Sequence, residues 1–274
     1  MKVFNKSIQG VVIITALLFS NLSTAAPTAR EIMEAVNARD DGDNAIMQME
    51  MRLVDKQGKQ RVRKMKRWAK DQIDEQQGEV SRSLLFFLEP TDVKNTGFLT
   101  YDYDAPGKDD DQWLYLPALR KTKRIANDDK SGSFMGSDFN YSDMTDPDLD
   151  DYSFTLMKES EVRGHPVWQI KAVPKSKETI EETGYKQSVL FVRQDNHVVV
   201  RGVRWLEKRG RLRYLDVKKL EQIDGIWTPL ETTMTTKQGK KRVHKTVIHY
   251  SNVRYGADLP EGMFTVRRLE KGAE

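Results

Sequence analysis

The chain has 274 residues, with 45 Lys and Arg against 41 Asp and Glu, a formal charge of +4, and no cysteine. The lack of cysteine excludes disulfides, thiol chemistry, zinc–thiolate centres and a lipid-modified N-terminal cysteine. The near-balanced charge is not the footprint of a nucleic-acid-binding protein, and the charged fraction of 31% predicts a strongly solvated surface.

The N-terminus carries Lys2 and Lys6, an apolar run from Gly10 to Phe19, and the small-residue pattern Ser23-Thr24-Ala25. That order reads as a secretory signal peptide cleaved after Ala25. The run is about half of the ~20 apolar residues needed to cross a bilayer. Removing Lys2 and Lys6 lowers the charge by two to +2 for a periplasmic mature chain. Residues 26–274 read as a single domain, large enough to bury a core without disulfide staples.

Thr28 and Glu31 form a capping box, and Ile32, Met33 and Val36 share one side of the short helix that follows. Alternating strands come next. Met47, Met49, Met51 and Leu53 alternate with polar residues, and Gln57-Gly58 turns the chain into Gln60 to Ala69. Leu84 to Leu88 is apolar on both faces, so it predicts a central strand with cover on each side. Gly97 to Tyr103 and Trp113 to Leu116 continue the meander. After a break, strands are predicted around Tyr152 to Lys158, Val167 to Val173, Ser188 to Arg193, Val198 to Leu206, Arg211 to Leu220, Ile226 to Thr236 and Val243 to Tyr250, which makes roughly ten to twelve in a hairpin-rich antiparallel sheet. The break, Ser131 to Asp151, is a long loop carrying Phe134, Met135, Phe139 and Tyr141, the composition of a functional loop or lid.

Chemistry is harder to find. His165, His197, His244 and His249 have no nucleophile elbow or metal-ligand spacing beside them, and the Asp109 to Asp111 and Asp143 to Asp151 groups do not fit a calcium loop. No glycine-rich loop feeds a helix to cradle a phosphate. Three hairpin-like stretches are basic: Lys59 to Lys70, Lys208 to Arg213 and Lys237 to Lys245. They read either as edge strands protected by Lys and Arg or as a rim for anionic headgroups or an acidic partner. The aromatics are equally two-sided, since each could simply fill a core. One helix and one loop are little filler for so many strands, however, and such a sheet closes, pairs or keeps a hollow.

Trp113-Leu114-Tyr115-Leu116-Pro117, Arg120, Lys123-Arg124-Ile125 and Phe134 to Tyr141 resemble the outer-membrane lipoprotein-sorting protein family, distant relatives of the periplasmic carrier LolA. Asp258 to Thr265 resembles that family's C-terminal end. The resemblance implies a mainly β fold with few helices: a strongly curved antiparallel half-barrel, LolA/LolB-like, covered by helix and loop, that takes up lipid or lipoprotein acyl chains. It also implies an association with transporters of the resistance-nodulation-division (RND) superfamily.

On this reading the protein binds by burial and needs no catalytic residue, metal or cofactor. Strand parity makes Leu85, Phe87, Leu99, Tyr101, Trp113 and Tyr115 the expected cavity wall. Phe134, Met135 and Phe139 are the expected lid, and Arg61, Arg63, Arg211, Arg213 and Lys241 the basic rim, with peripheral membrane contact in view. Two other classes stay open. One is an accessory or scaffold protein that docks on an envelope transporter over an ordinary core. The other is a lipid hydrolase, which needs a nucleophile–base pair among residues such as Ser137, Asp138 and His165.

Overall fold

The computed structural model describes residues 26–74, 78–105, 107–207 and 210–273. The segment read as a signal peptide, 1–25, lies outside the described residues. Helix α1 (Ala29–Asn37) starts at the expected capping box: Glu31 N–H donates to the Thr28 hydroxyl at 3.2 Å, and Thr28 N–H to the Glu31 carboxylate at 2.7 Å. That pairing satisfies two of the donors a helix start leaves open.

Among the described residues thirteen strands form one antiparallel sheet. The first six are β1 (Ala45–Val54), β2 (Gln60–Asp74), β3 (Gly78–Glu89), β4 (Gly97–Tyr103), β5 (Asp111–Leu116) and β6 (Lys121–Arg124). After the loop 125–151 come β7 (Tyr152–Val162), β8 (His165–Pro174), β9 (Tyr185–Arg193), β10 (Val199–Leu206), β11 (Arg211–Ile223), β12 (Ile226–Gln238) and β13 (Lys241–Arg254). The strand order is β6-β5-β4-β3-β2-β1-β13-β12-β11-β10-β9-β8-β7. Two up-and-down meanders are thus joined where β1 pairs with β13, and the sheet is not closed. The strand beyond the expected count is β6, whose Lys-Thr-Lys-Arg sequence has no apolar alternation to betray it. Helices α2 (Lys177–Thr183) and α3 (Val266–Leu269) are further additions, too short to produce a periodic pattern.

The sheet order explains the loop. Strands β6 and β7 are consecutive in sequence yet lie at opposite edges, so residues 125–151 must travel from one edge to the other, and they do so across one face. Gln112 on β5 donates to the Tyr141 carbonyl at 3.0 Å, while Tyr185 on β9 donates to Asp143 at 2.8 Å. In a flat sheet those strands would lie about 43 Å apart, from ~4.8 Å per strand. Fully stretched side chains and two residues of backbone span only about 30 Å. The sheet therefore curls around the loop, which makes the loop's face the concave one.

Residues paired across a ladder share a face. The chain of partners Ile170, Leu190, Gly202, Leu215, Met234, Thr246 and Leu53 runs across six ladders. It places α1, which packs Ile32 and Met33 against Ile170 and Val192, on the concave face beside the loop. The convex face of the first meander is covered by the C-terminal segment: Leu259, Phe264 and Leu269 pack on Trp68, Leu84, Phe86 and Leu99. The two-sided cover expected for the Leu84 to Leu88 strand is therefore present, with Leu84 and Phe86 on one side and Leu85 and Phe87 on the other.

This convex packing leaves no room at Gly97. A Cβ there would lie 2.5 Å from a Leu269 methyl and 2.6 Å from the Phe86 ring. Gly97→Ala should cost about 2 kcal/mol by overpacking, read as a lower urea midpoint at unchanged slope. An unaltered midpoint would mean that α3 does not dock on β4.

Candidate functional site

The concave face of the first meander and of the adjoining β13 and β12 is apolar and rich in methionine. Met47, Met49, Met51, Met65 and Met234 are buried there with Leu85, Phe87, Phe98, Leu114 and Ile248, and the loop pushes Phe134 and Phe139 into the same cluster. Phe134 is 1% exposed, and its ring centroid lies 5.1 Å from that of Phe98 and 6.3 Å from that of Phe87. Methionine side chains are flexible and polarizable, so such a wall can repack around objects of different shape.

Little regular structure holds the loop. Side chains from the sheet pin it instead. Near its tip the Asp138 carboxylate, 2% exposed, is held by Thr246 Oγ1 at 2.7 Å and His244 Nδ1 at 2.7 Å, with Thr236 also donating to it. Arg63 donates to the Met135 carbonyl while its guanidinium lies 5.8 Å from the centre of the Phe87 ring. Further along, Asn140 Oδ1 accepts from Arg213 at 2.7 Å, and Asp143 pairs with Arg204 and accepts from the Tyr185 hydroxyl at 2.8 Å. Burial disfavours charge on Arg204, but Asp143 and Tyr185 outweigh it and hold the guanidinium more firmly protonated than usual. Burial, with Asp143 nearby, pushes the Tyr185 phenol up to about 12. Lys130 is buried against Glu182 of α2 at 2.7 Å.

The expected cavity residues fall on two faces. Leu85 and Phe87 line the concave face under the loop. Leu99, Tyr101, Trp113 and Tyr115 lie on the convex face beneath the C-terminal segment, where the Tyr101 hydroxyl donates to the Phe264 carbonyl. The expected lid residues sit together over the concave face, Phe134 and Phe139 inserted and Met135 half-buried. The expected rim also divides. Arg63 and Arg213 turn inward to the loop, whereas Arg61, Arg211 and Lys241 stand at hairpin ends. Arg61 lines a cleft of about 260 Å³ with Leu53, Asp55, Lys59 and His244. The Asp138–His244 contact escaped sequence reading because the partners are separated by 106 positions and no local spacing marks them. His165 is not the partner of Asp138.

At the C-terminal root of the loop, Asp102 on β4 accepts the Asp146 N–H at 2.8 Å. Burial, with Asp110 and Asp146 close by, pushes the Asp102 carboxyl from 3.8 up to about 8. The folded protein holds that proton where the unfolded chain has lost it. Its contribution is therefore fully present below about pH 4 and is lost as pH rises toward about 8, at up to ~1.4 kcal/mol per pH unit. Asp102→Asn should remove that slope and be the more stable form at pH 8, measured by urea unfolding at pH 5 and pH 8. Parallel profiles for variant and native protein would contradict the raised carboxyl.

Comparison with known proteins bears on what this arrangement is. A family model described as "uncharacterized protein" matches residues 79–271. A DUF1329 family protein from Desulfovibrio piger ATCC 29098 is 30% identical, with a TM-score of 0.78 over 88% of this chain and 97% of that one. The chain belongs to the DUF1329 family. A domain from Vibrio parahaemolyticus described as outer membrane lipoprotein-sorting is 29% identical, with a TM-score of 0.77 over 88% of this chain and 98% of that one. A LolA superfamily protein from Nitrosomonas europaea, 18% identical with a TM-score of 0.63 over 88% and 99% of the two chains, shares the fold. This DUF1329 member is therefore LolA-like: an open, curved antiparallel half-barrel with helix and loop over its concave face. No curated protein sequence matches it.

Proposed function

We propose that the protein is a periplasmic, non-enzymatic carrier that buries a lipid or lipoprotein acyl chain on the methionine-rich concave face, in the space that Phe134 and Phe139 fill when the loop is down. The observation that carries this reading is the mode of attachment: aromatic side chains fill an apolar wall, yet polar side-chain contacts fasten the loop that bears them. Such contacts can open without unfolding the sheet. Burial of an acyl chain contributes ~0.8 kcal/mol per methylene, so about 10 kcal/mol for an ordinary chain, against about 2 kcal/mol for each displaced Phe side chain. The exchange is favourable before ordering costs. The description of the Vibrio parahaemolyticus relative points the same way. Hand-over to or from an RND-superfamily transporter belongs to this reading and rests on the resemblance alone.

The side-chain environment gives a non-enzymatic role its support. The Ser137 hydroxyl is engaged with the backbone of Phe139, and Asp138 is taken up by His244 and two threonines. A second reading, an accessory protein that docks on an envelope transporter without lipid, is favoured by the tight filling of the concave face. Native mass spectrometry of gently purified mature protein, alone and after mixing with phospholipid, separates the two. Adducts of one lipid mass support the carrier, and a clean apo mass under both conditions supports the accessory protein.

A further inference from the structure

The sheet order brings the basic hairpins together. The β1–β2, β10–β11 and β12–β13 turns all lie at one end of the strands, and the hairpins are adjacent in the order β2-β1-β13-β12-β11-β10. Arg242 reaches the Asp55 carbonyl, and Gly239 N–H the Gly210 carbonyl. Lys56, Lys59, Arg61, Lys240, Lys241 and Arg242 are exposed there, and none is in an ion pair among the described residues. Asp55, in the β1–β2 turn, accepts from the Gln57 and Lys59 N–H groups of that turn. Protection of sheet edges does not account for these cations, because the edges are β6 and β7. At the opposite end, Asp40, Asp41, Asp43, Asp104, Asp109 and Asp224 are exposed.

We infer that this basic end is a docking surface for a bilayer rich in anionic phospholipid. The mature net charge is too small to drive binding of an unpolarised molecule, but the cations gathered without ion pairs on the β1–β2 and β12–β13 turns orient it. Cations within a Debye length of an anionic surface are attracted individually, and the acidic end, several Debye lengths away, is screened from it. The same end carries Arg63, His244 and Thr236, which hold the loop tip at Met135 and Asp138. Docking there presents the fastened end of the loop to the lipid. The inference goes beyond acyl-chain uptake and does not depend on it.

The test is sedimentation of the mature protein with vesicles of phosphatidylcholine, with and without phosphatidylglycerol, at low and high salt. Binding should require phosphatidylglycerol and fall with salt. Each neutralised cation should lower partitioning about fivefold. The triple variant Lys59→Glu, Arg61→Glu, Lys241→Glu should therefore lose about 100-fold or more. A matched triple variant away from this end, Lys158→Glu, Lys219→Glu, Arg254→Glu, should lose far less, both proteins remaining folded by circular dichroism. Equal loss in the two triples, binding without phosphatidylglycerol, or no binding by the native protein overturns the inference. An intact lipid adduct in the first triple would show that acyl uptake stands separately.

Discussion

Asp143→Ala should lower the unfolding free energy by about 3 kcal/mol and raise the binding of a hydrophobic dye. Asp143 accepts from the Tyr185 hydroxyl and the Asn140 N–H, each at 2.8 Å, and is the counter-ion of Arg204. A buried ion pair contributes little compared with an apolar pair of the same shape, because desolvation cancels most of the attraction. Removing one partner is different, since it strands the other charge, and costs 3–5 kcal/mol in typical cases. The low end applies because Arg204 keeps 22% of its side chain exposed. Asp143→Asn keeps hydrogen-bonding capacity and should fall between the two. Urea unfolding reads the stability, and the dye reads whether the concave face has become accessible. A native midpoint with no gain in dye binding would show that this contact does not hold the loop.

Phe86→Ala and Phe87→Ala should be equally destabilising and functionally opposite. Both side chains are fully buried, so each truncation should cost about 3–5 kcal/mol through lost transfer energy and the cavity left behind. Phe86 faces the C-terminal segment, within 6.3 Å of the Trp68 ring, whereas Phe87 faces Phe134. Affinity for an acyl-chain probe should fall about tenfold for Phe87→Ala, equivalent to ~1.4 kcal/mol, and stay at the native value for Phe86→Ala. Equal affinities in the two variants would place the ligand elsewhere.

Much of the sheet is legible in the sequence because period-two alternation marks a half-buried strand wherever one face is polar. Met47 to Leu53 is clear for that reason, and the doubly apolar Leu84 to Leu88 announces cover on both sides, which β4 shares, with Phe98 under the loop and Leu99 under the C-terminal segment. Alternation fixes parity within a strand but not phase between strands. Leu85 and Leu99 look equivalent in the sequence, yet the ladder pairs Leu84 with Leu99 and Leu85 with Phe98. Four of the six expected wall residues consequently lie under the C-terminal segment. The same limit hides contacts that depend on the β1–β13 junction. His244 meets Asp138, and the basic hairpins become neighbours, only because strands from the two ends of the chain pair there. The aromatic loop is recognisable by composition, and its crossing of the concave face follows from β6 and β7 being opposite edges.

The central claim, that an acyl chain enters where the loop phenylalanines now sit, is tested most directly by locking the loop. The native chain has no cysteine, so Asp138→Cys with Thr246→Cys introduces a single possible disulfide at a point where Asp138 N–H lies 2.9 Å from Thr246 Oγ1. Binding of a fluorescent acyl-chain phospholipid is then measured on one preparation, oxidised and reduced. The account predicts that the oxidised protein fails to take up the lipid and that reduction restores uptake. Equal uptake in both states would contradict it.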